Sequence, residues 1–431
     1  MIERIKIKGL FGIYDYDIEL TNSAGLKIIT GPNGYGKTTV LLIIYNLFNN
    51  NFWYFYNLPF ETIEIIKDHK TKYVVTKKKN VDQENSDNSI LNDSYEVEFN
   101  LFQDETEKPF SFRINKDYYD DLKNKYAEYY EKDYPVETIF DKEYDVDTDL
   151  FVVNSAADAL LFNQTCECKY IESQRVFKTG VKRVFPFSSS VIRDNPYNIS
   201  DISRQIEVYY RDNQVRFSQE CQRIDSSFIE RLTDNQIAPY TEEEFNGHLS
   251  DLKKLLDDYT KIGLVSSSDF KIKDEYKNYE DFKQALTLYV NDMLDKLDAF
   301  KKFYSQIDLF KGFVNDKVLS DKKMIVDEDG IKVVMNNGGF VPLHRLSSGE
   351  QNLIILAYDL VFLSRKDSII LVDEPENSLH LAWLGCLLDD YLKIAKINGC
   401  QFVVATHSAA FINNRWDLST DLYEANSLKN D

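Results

Sequence analysis

The sequence predicts an α/β fold in which a mixed sheet carries a phosphate-binding loop and a mostly helical lobe is inserted. Three observations predict it. A glycine-rich stretch at 31–38 lies between an apolar run suited to a buried strand and one suited to a buried helix. Two further apolar runs, at 369–372 and 402–405, end in polar residues. Between about 200 and 317, apolar residues recur at three- and four-residue spacing, which is typical of helices.

The patterns divide the chain into four expected segments. Residues 1–20 alternate apolar and polar and predict a hairpin, with Gly9 and Gly12 near its turn. Irregular strands are expected at 61–115, a surface helix at 116–145 and an antiparallel helical hairpin around a break at 263–268. The segments are an N-terminal part of the α/β head (1–115), a part joining head and insert (116–199), the helical insert (200–320) and a C-terminal part of the head (321–431).

Composition restricts the classes of function. The 71 acidic residues exceed the 51 basic ones and give a net charge of −20, which argues against a large unspecific DNA-binding surface but allows a local basic groove. Five cysteines at irregular spacing do not predict a disulfide framework. No secretory pattern follows Met1, and no apolar run reaches the roughly 20 residues that span a bilayer. We therefore expect a cytoplasmic protein that does not enter a membrane.

The loop at 31–38 fits G-x-x-x-x-G-K-[ST], which binds nucleotide phosphates. Its glycines let backbone N–H groups point at phosphate oxygens, and the following helix adds the positive end of its dipole. Lys37 is expected to reach the β- and γ-phosphates, and the Thr38 hydroxyl to bind Mg²⁺. The predicted nucleotide contacts are Gly31, Pro32, Asn33, Gly34, Tyr35, Gly36, Lys37, Thr38 and Thr39.

An acidic pair follows the apolar run at 369–372. Asp373, at the carboxyl end of the predicted strand, is expected to hold Mg²⁺, because the run fits the strand that carries the magnesium-associated aspartate in NTPases with such a loop. Glu374 is suited to polarise the attacking water. The alternative is a buried strand with a capping acid pair.

A second anion site is predicted at Leu346–Gln351, where small residues precede an apolar helix. Because one γ-phosphate rarely needs two such sites in one chain, we expect this one to serve a nucleotide held by a second copy. The expected contacts are Ser347, Ser348, Gly349 and Glu350. The alternative is an ordinary capping turn.

His407 follows the apolar strand at 402–405. A lone histidine is more often structural than catalytic. At the carboxyl end of a core strand, however, its imidazole is suited to donate a hydrogen bond to the γ-phosphate, and we predict that role.

In this order, the motifs resemble those of the ABC-type ATPases, in the chromosome-maintenance and RecF-like branch. The resemblance makes Gly31–Thr38 the Walker A motif, Leu346–Gln351 the signature, Ile369–Glu374 Walker B and His407 the switch histidine. The segment 376–380 resembles the D-loop. The signature departs from the transporter form LSGGQ, because Ser348 replaces a glycine and Glu350 a glutamine.

The segments 346–352, 373–380 and 405–408, followed by 415–418, also resemble the ATPase subunits of bacterial antiphage systems, namely PARIS, Septu, the retron-associated ATPases and the OLD nucleases. That resemblance places Gln174 in the Q-loop as a contact of Mg²⁺ or water. Arg175 beside it is equally suited to a structural salt bridge. OLD enzymes continue into a nuclease domain, whereas few residues follow His407 here, so a nuclease or toxin would be a separate chain.

The resemblance implies an ATPase that uses ATP and Mg²⁺, with Lys37, Glu374 and His407 as catalytic residues and Thr38, Gln174 and Asp373 as metal ligands. It implies a homodimer closed around two nucleotides, and rings of such dimers are equally compatible. Defence is the first hypothesis, with this chain as sensor and scaffold for a separate effector. The alternatives are a DNA-repair or chromosome-maintenance ATPase that clamps DNA, for which the basic cluster Arg175, Lys178, Lys182 and Arg183 is a candidate contact, and a scaffold that barely hydrolyses ATP.

Overall fold

The computed structural model describes residues 1–79, 95–103, 110–115, 167–171, 199–234, 238–266, 272–273, 276, 279–317, 319, 321–378 and 381–426. The surface helix expected at 116–145, together with Gln174, Arg175 and the rest of the basic cluster, lies outside these ranges. Contacts divide the chain into two compact units. The first combines 1–177 with 364–431, and the second is 178–363.

The described strands are β1 (Ile2–Leu10), β2 (Tyr14–Glu19), β3 (Leu26–Thr30), β4 (Thr62–Lys67), β5 (Thr71–Lys79), β6 (Tyr95–Gln103), β7 (Phe110–Ile114), β8 (Cys168–Ile171), β9 (Lys322–Asp327), β10 (Gly330–Met335), β11 (Phe340–Val341), β12 (Ile369–Asp373), β13 (Gln401–Ala405) and β14 (Ser419–Asp421). The described helices are α1 (Lys37–Phe48), α2 (Trp53–Asn57), α3 (Ile199–Ser226), α4 (Phe228–Thr233), α5 (Glu242–Lys261), α6 (Tyr279–Lys317), α7 (Ser348–Phe362), α8 (Leu381–Asn398) and α9 (Ala409–Ile412). None of these helices combines the length and the apolar character needed to cross a membrane.

The first unit contains a six-stranded antiparallel sheet with the order β2-β1-β4-β5-β6-β7. Its β1–β2 hairpin confirms the predicted one. Burial alternates strictly along β4, because one face of the sheet packs on the core and the other faces outward. Helix α1 is buried at every position from Val40 to Phe48 and packs into the same core.

A five-stranded parallel sheet is the second layer of this unit, with the order β14-β3-β13-β12-β8. Strands β12 and β13 are buried at all five positions, which explains why the sequence there is continuously apolar. The first unit therefore combines one antiparallel and one parallel sheet, which confirms the predicted α/β class.

In the second unit, α3 and α6 pack antiparallel. Tyr210 of α3 contacts Phe303 of α6 with ring centroids 4.9 Å apart, and Phe217 contacts Phe300 at 4.6 Å. Further along α3, Asp225 pairs with Lys296 at 2.6 Å. Contact positions rise along one helix as they fall along the other, so the two helices run in opposite directions.

Helix α5 instead runs parallel to α6, which corrects the antiparallel hairpin expected around residues 263–268. Phe245 near the start of α5 contacts Tyr279 at the start of α6, with ring centroids 5.0 Å apart. Tyr259 near the end of α5 contacts Tyr304, much further along α6, at 5.1 Å. The start of α6 therefore lies beside the start of α5, not beside its end.

The second unit also contains the antiparallel sheet β11-β10-β9. Gly330 opens β10 with a φ of +93°, and a Cβ there would lie 2.3 Å from Oγ of Ser203. The same Oγ accepts the Ile331 N–H at 2.8 Å, so α3 and β10 are held at close approach. Strand β11 leads through 342–346 to helix α7.

Candidate active site

The register of the parallel sheet collects several predicted residues at one edge. Asp373 of β12 pairs with Ala405 of β13, and Ala405 pairs with Ile29 of β3. The three strands therefore end side by side. The segments that follow them, 31–36, 374–376 and 406–407, lie at the same carboxyl edge, where ligands bind in parallel sheets.

The glycine-rich loop has the backbone its sequence predicts. Gly34 and Gly36 have φ values of +87° and +77°, a region that favours glycine, and α1 begins at Lys37. Lys37 is only 6% exposed. Its Nζ donates to the Gly31 carbonyl at 2.9 Å and lies 3.7 Å from Oε1 of Glu374. The lysine therefore lies over the loop, with the Glu374 carboxylate as its counter-charge.

Thr38 and Asp373 meet directly, because Thr38 Oγ1 donates to Asp373 Oδ2 at 2.9 Å. The Tyr170 hydroxyl of β8 donates to the same oxygen at 3.2 Å. Burial raises the pKa of Asp373, although these hydrogen bonds oppose the shift. Its other oxygen, Oδ1, is buried and has no hydrogen-bond partner among the described residues. A hydroxyl and a carboxylate with an orphaned oxygen are the hard oxygen donors that Mg²⁺ prefers, so these residues fit the ion.

Glu374 has a strained backbone, with a φ of +45° that few non-glycine residues adopt. Its N–H donates to the Ala405 carbonyl at 2.8 Å, which holds the residue against the end of β13. Burial raises the pKa of Glu374 to about 7; neighbouring Glu376 adds to the shift and His407 opposes it. Its carboxyl group therefore exchanges protons near neutral pH, as a general base must.

His407 lies against this carboxylate, with Nδ1 2.5 Å from Glu374 Oε2. Glu376 also contacts the histidine, and it approaches the same ring nitrogen. Its Oε1 accepts the Thr406 hydroxyl at 2.5 Å and the His407 N–H at 3.3 Å, and it lies 3.4 Å from His407 Nδ1. Because the imidazole is 57% exposed while Glu376 is 9% exposed, a buried acid holds a histidine that can reach a ligand.

Lys37, Thr38, Asp373, Glu374 and His407 are thus brought together at one edge. Pro32, Asn33 and Gly34 are exposed at the tip of the loop. Tyr35 packs on Tyr14 and Tyr423 with ring centroids 5.3 and 5.8 Å away, and the Tyr16 hydroxyl donates to its carbonyl at 2.7 Å. The roles of these residues, of Gly31, Gly36 and Thr39, and of Gln174 outside the described part, stay predictions.

Sequence analysis missed Tyr170 and Glu376 as members of the site. No role in the site was predicted for Tyr170, because nothing in the sequence indicates that β8 lies beside β12. Glu376 was assigned to the D-loop resemblance. Its position two residues after Glu374 was the available signal, since a turn there returns its carboxylate to the same edge.

The turn at 346–351, which resembles the signature motif and is called the signature turn below, belongs to the second unit. Ser347 caps α7: its Oγ accepts the Glu350 N–H at 3.3 Å, and its own N–H donates to Glu350 Oε2 at 2.8 Å. Ser347, Ser348 and Gly349 are exposed. The capping turn named above as the alternative is therefore present. Its exposed small residues leave room for an anion.

Solved structures similar to this chain include several Smc head domains. One, from Pyrococcus furiosus, has an extended coiled coil and is bound to the C-terminal domain of ScpA; it is 14% identical, with 96% of this chain and 91% of that chain covered and a TM-score of 0.33. The SMC head domain from Thermotoga maritima is 10% identical, with 95% and 90% covered and a TM-score of 0.31. A comparison with the curated proteins finds no match.

The sequence also matches the family model described as the AAA ATPase domain. The match spans residues 1–412, which includes the loop at 31–38, the acidic pair after β12 and His407. It therefore covers most of the 431 residues, including the site at the edge of the parallel sheet and the turn at 346–351. This protein belongs to the AAA ATPase domain family.

Proposed function

We propose that this protein binds and hydrolyses ATP at the edge of its parallel sheet. One observation carries the proposal: Lys37, the Thr38–Asp373 pair and the Glu374–His407 pair meet where β3, β12 and β13 end. A phosphate-binding lysine, a set of metal ligands and a base near neutral pH are the parts that phosphoryl transfer to water requires.

Each residue then has a separate role. Lys37 leaves the Gly31 carbonyl and binds the β- and γ-phosphates. Glu374 orients the attacking water and accepts its proton, and His407 donates to the γ-phosphate. Thr38 and Asp373 would hold Mg²⁺, with Gln174 as a further proposed ligand. When bound, the ion neutralises charge on the phosphates.

We further propose that two copies close head to tail over two nucleotides. The exposed turn at 347–349 supports this, because it presents a hydroxyl and the N-terminal N–H groups of α7 at the surface. ATP would join the two copies and hydrolysis would release them, so nucleotide state would control assembly.

The biological role we propose is antiphage defence, with this ATPase as sensor and scaffold for a separate nuclease or toxin. The support is the resemblance of the segments 346–352, 373–380 and 405–408 to such ATPases. Co-purification of an effector encoded beside this chain would favour defence. ATP-dependent, salt-sensitive DNA affinity would favour a chromosome-maintenance role instead.

Phosphate release and molar mass by light scattering, measured with Mg²⁺ and ATP, test the ATPase. Glu374→Gln should lower hydrolysis by about 100-fold or more while the ATP-bound dimer accumulates. Lys37→Ala should weaken ATP binding. Glu243→Gln, exposed on α5, is the control and should behave as the wild type. Normal turnover by Glu374→Gln would contradict the base, and unchanged affinity of Lys37→Ala would contradict the loop.

A mixing experiment tests the shared site. A Cβ at Gly349 would meet nothing within 4 Å in the described structure, so the monomer should tolerate Gly349→Asp. Its carboxylate should repel the partner's triphosphate and prevent dimerisation. Mixing Gly349→Asp with Lys37→Ala leaves one site with an intact loop and an intact turn, so activity should return. If it does not return although both variants fold, the two-copy site is wrong.

A further inference from the structure

A lysine behind the signature turn has no role in the site described above. Lys322 opens β9, and its Nζ lies 2.8 Å from Oε1 of Glu350 in the first turn of α7. The side chains are 18% and 16% exposed, so this ion pair is largely shielded from water. Asp321, at 3.8 Å from the same Nζ, is 71% exposed and contributes less.

The two oxygens of Glu350 have separate tasks. Oε1 pairs with Lys322, while Oε2 accepts both the Ser347 N–H at 2.8 Å and the Ser347 hydroxyl at 2.9 Å. Lys322 therefore holds the Glu350 carboxylate in place, and this carboxylate in turn holds Ser347. Burial raises the pKa of Glu350, but the hydrogen bonds from Lys322 and Ser347 outweigh it and hold the pKa below its usual range. Glu350 is therefore charged at neutral pH.

A charged carboxylate close to a triphosphate weakens its binding, because like charges at short range repel. The transporter form of the signature has a neutral glutamine at this position. A chain with Glu350 needs a counter-charge that lies close but stays out of the anion's path. Lys322 meets that need from β9, because it approaches Oε1, the oxygen that does not contact Ser347.

We propose that Lys322 is a positioning residue for the signature turn. It offsets the charge of Glu350 and holds its carboxylate on the Ser347 N–H, so that the turn keeps its shape when the serine hydroxyl exchanges its hydrogen bond to Oε2 for one to the γ-phosphate bound by the partner copy. The inference rests on the two-copy site proposed above. The new claim is that the signature turn depends on Lys322 only because residue 350 is a glutamate.

A double-mutant cycle tests this dependence, with Lys322→Met, Glu350→Gln and the double variant on the Glu374→Gln background. ATP affinity of the monomer should be unchanged in Lys322→Met, because the loop at 31–38 is intact. Its ATP-dependent dimerisation should weaken about tenfold, as expected for an uncompensated charge at an interface. On the Glu350→Gln background the same substitution should change nothing further, and Lys322→Arg should restore dimerisation.

The inference would be overturned if Lys322→Met dimerised as well as the Glu374→Gln reference. It would also be overturned if Lys322→Met weakened dimerisation equally with Glu350 and with Glu350→Gln. Thermal melting of each variant separates a positioning role from a folding defect, since a purely structural lysine would lower stability without the dependence on residue 350. Failure of this inference and failure of the two-copy proposal give different results. If Glu374→Gln itself fails to dimerise with ATP, the proposed function fails, while the melting data still report whether Lys322 and Glu350 are coupled.

Discussion

Nδ1 of His407 lies 2.5 Å from Oε2 of Glu374, although the two residues follow different strands. Glu374 comes directly after β12, and His407 comes two residues after the end of β13. Since β12 and β13 are neighbours in register, the backbone fixes this pair without any ligand. Under the mechanism proposed above, the imidazole would contact both the γ-phosphate and the base.

The first prediction concerns this pair. Replacing His407 with glutamine should lower the rate of ATP hydrolysis by about 100-fold, because the amide cannot take the place of an imidazole that contacts the base and the phosphate through two different ring nitrogens. ATP affinity should change little, since Lys37 and the loop remain. Steady-state phosphate release and nucleotide binding measure the two effects. His69→Asn is the control, because His69 is 89% exposed. Wild-type turnover by His407→Gln would contradict the role.

The second prediction uses the opposite effects of two neighbours on one base. Glu376 raises the pKa of Glu374, whereas His407 lowers it. A base works only when deprotonated, so hydrolysis should rise with pH through that pKa. The rise should move to lower pH in Glu376→Gln and to higher pH in His407→Gln.

The pH dependence of kcat for both variants, at saturating Mg²⁺ and ATP, measures these shifts. Glu376→Gln should also lower kcat by about tenfold, because Thr406 and the His407 N–H lose a charged acceptor. Shifts in the same direction for both variants would contradict the assignment of Glu374 as the titrating group.

The third prediction concerns the stability of the nucleotide-free protein. The pKa of Glu374 rises from 4.5 to about 7 on folding, so between these values the folded protein binds more protons than the unfolded chain. The free energy of unfolding must then fall as pH rises through this interval. The raised pKa of Asp373 acts in the same direction.

Glu374→Gln removes the main titrating group and should flatten this dependence. At pH 8 the variant should be more stable than the wild type by about 1–2 kcal/mol, and at pH 4.5 the difference should vanish. Urea unfolding of the nucleotide-free protein at several pH values measures it. Equal pH slopes for the two proteins would contradict the shift.

The fourth prediction concerns the helical unit. The terminal guanidinium nitrogens of Arg231, Nη1 and Nη2, both donate to the carboxylate of Asp292, which is 5% exposed. Asp292→Ala removes the only carboxylate that the structure's described residues place on this arginine, and it should lower the free energy of unfolding by about 3 kcal/mol. Asp298→Ala is the control, because Asp298 is 68% exposed and should cost less than about 0.5 kcal/mol. Similar losses of unfolding free energy for Asp292→Ala and Asp298→Ala would contradict the claim that the buried ion pair contributes more to stability than the exposed one.

Local patterns predicted the local structure well. The alternation in residues 1–20 and the continuous apolar runs before Asp373 and His407 record burial on one face or on both, so the strands followed from the sequence. The loop at 31–38 was equally predictable, because phosphate binding restricts both its glycines and its lysine.

Pairing across the chain was less predictable. Helical periodicity shows which face of α6 is buried but not which helix covers it, so α5 was expected to be its antiparallel partner in place of α3. Tyr170 and Glu376 were missed as site residues for the same reason. A tyrosine in a strand acquires its contact with Asp373 only through the order of the strands.

The position of β13 determines when the parallel sheet can assemble. It lies between β3 and β12, and the side chain of Gln401 also bonds the backbone N–H and C=O of Ile2, at 2.7 and 2.8 Å. During translation, about 370 residues separate β3 from this neighbour. The parallel sheet therefore cannot be completed until residues 401–405 have left the ribosome, and until then the backbone edges of its apolar strands stay unpaired. We expect the chain to depend on chaperones during that interval.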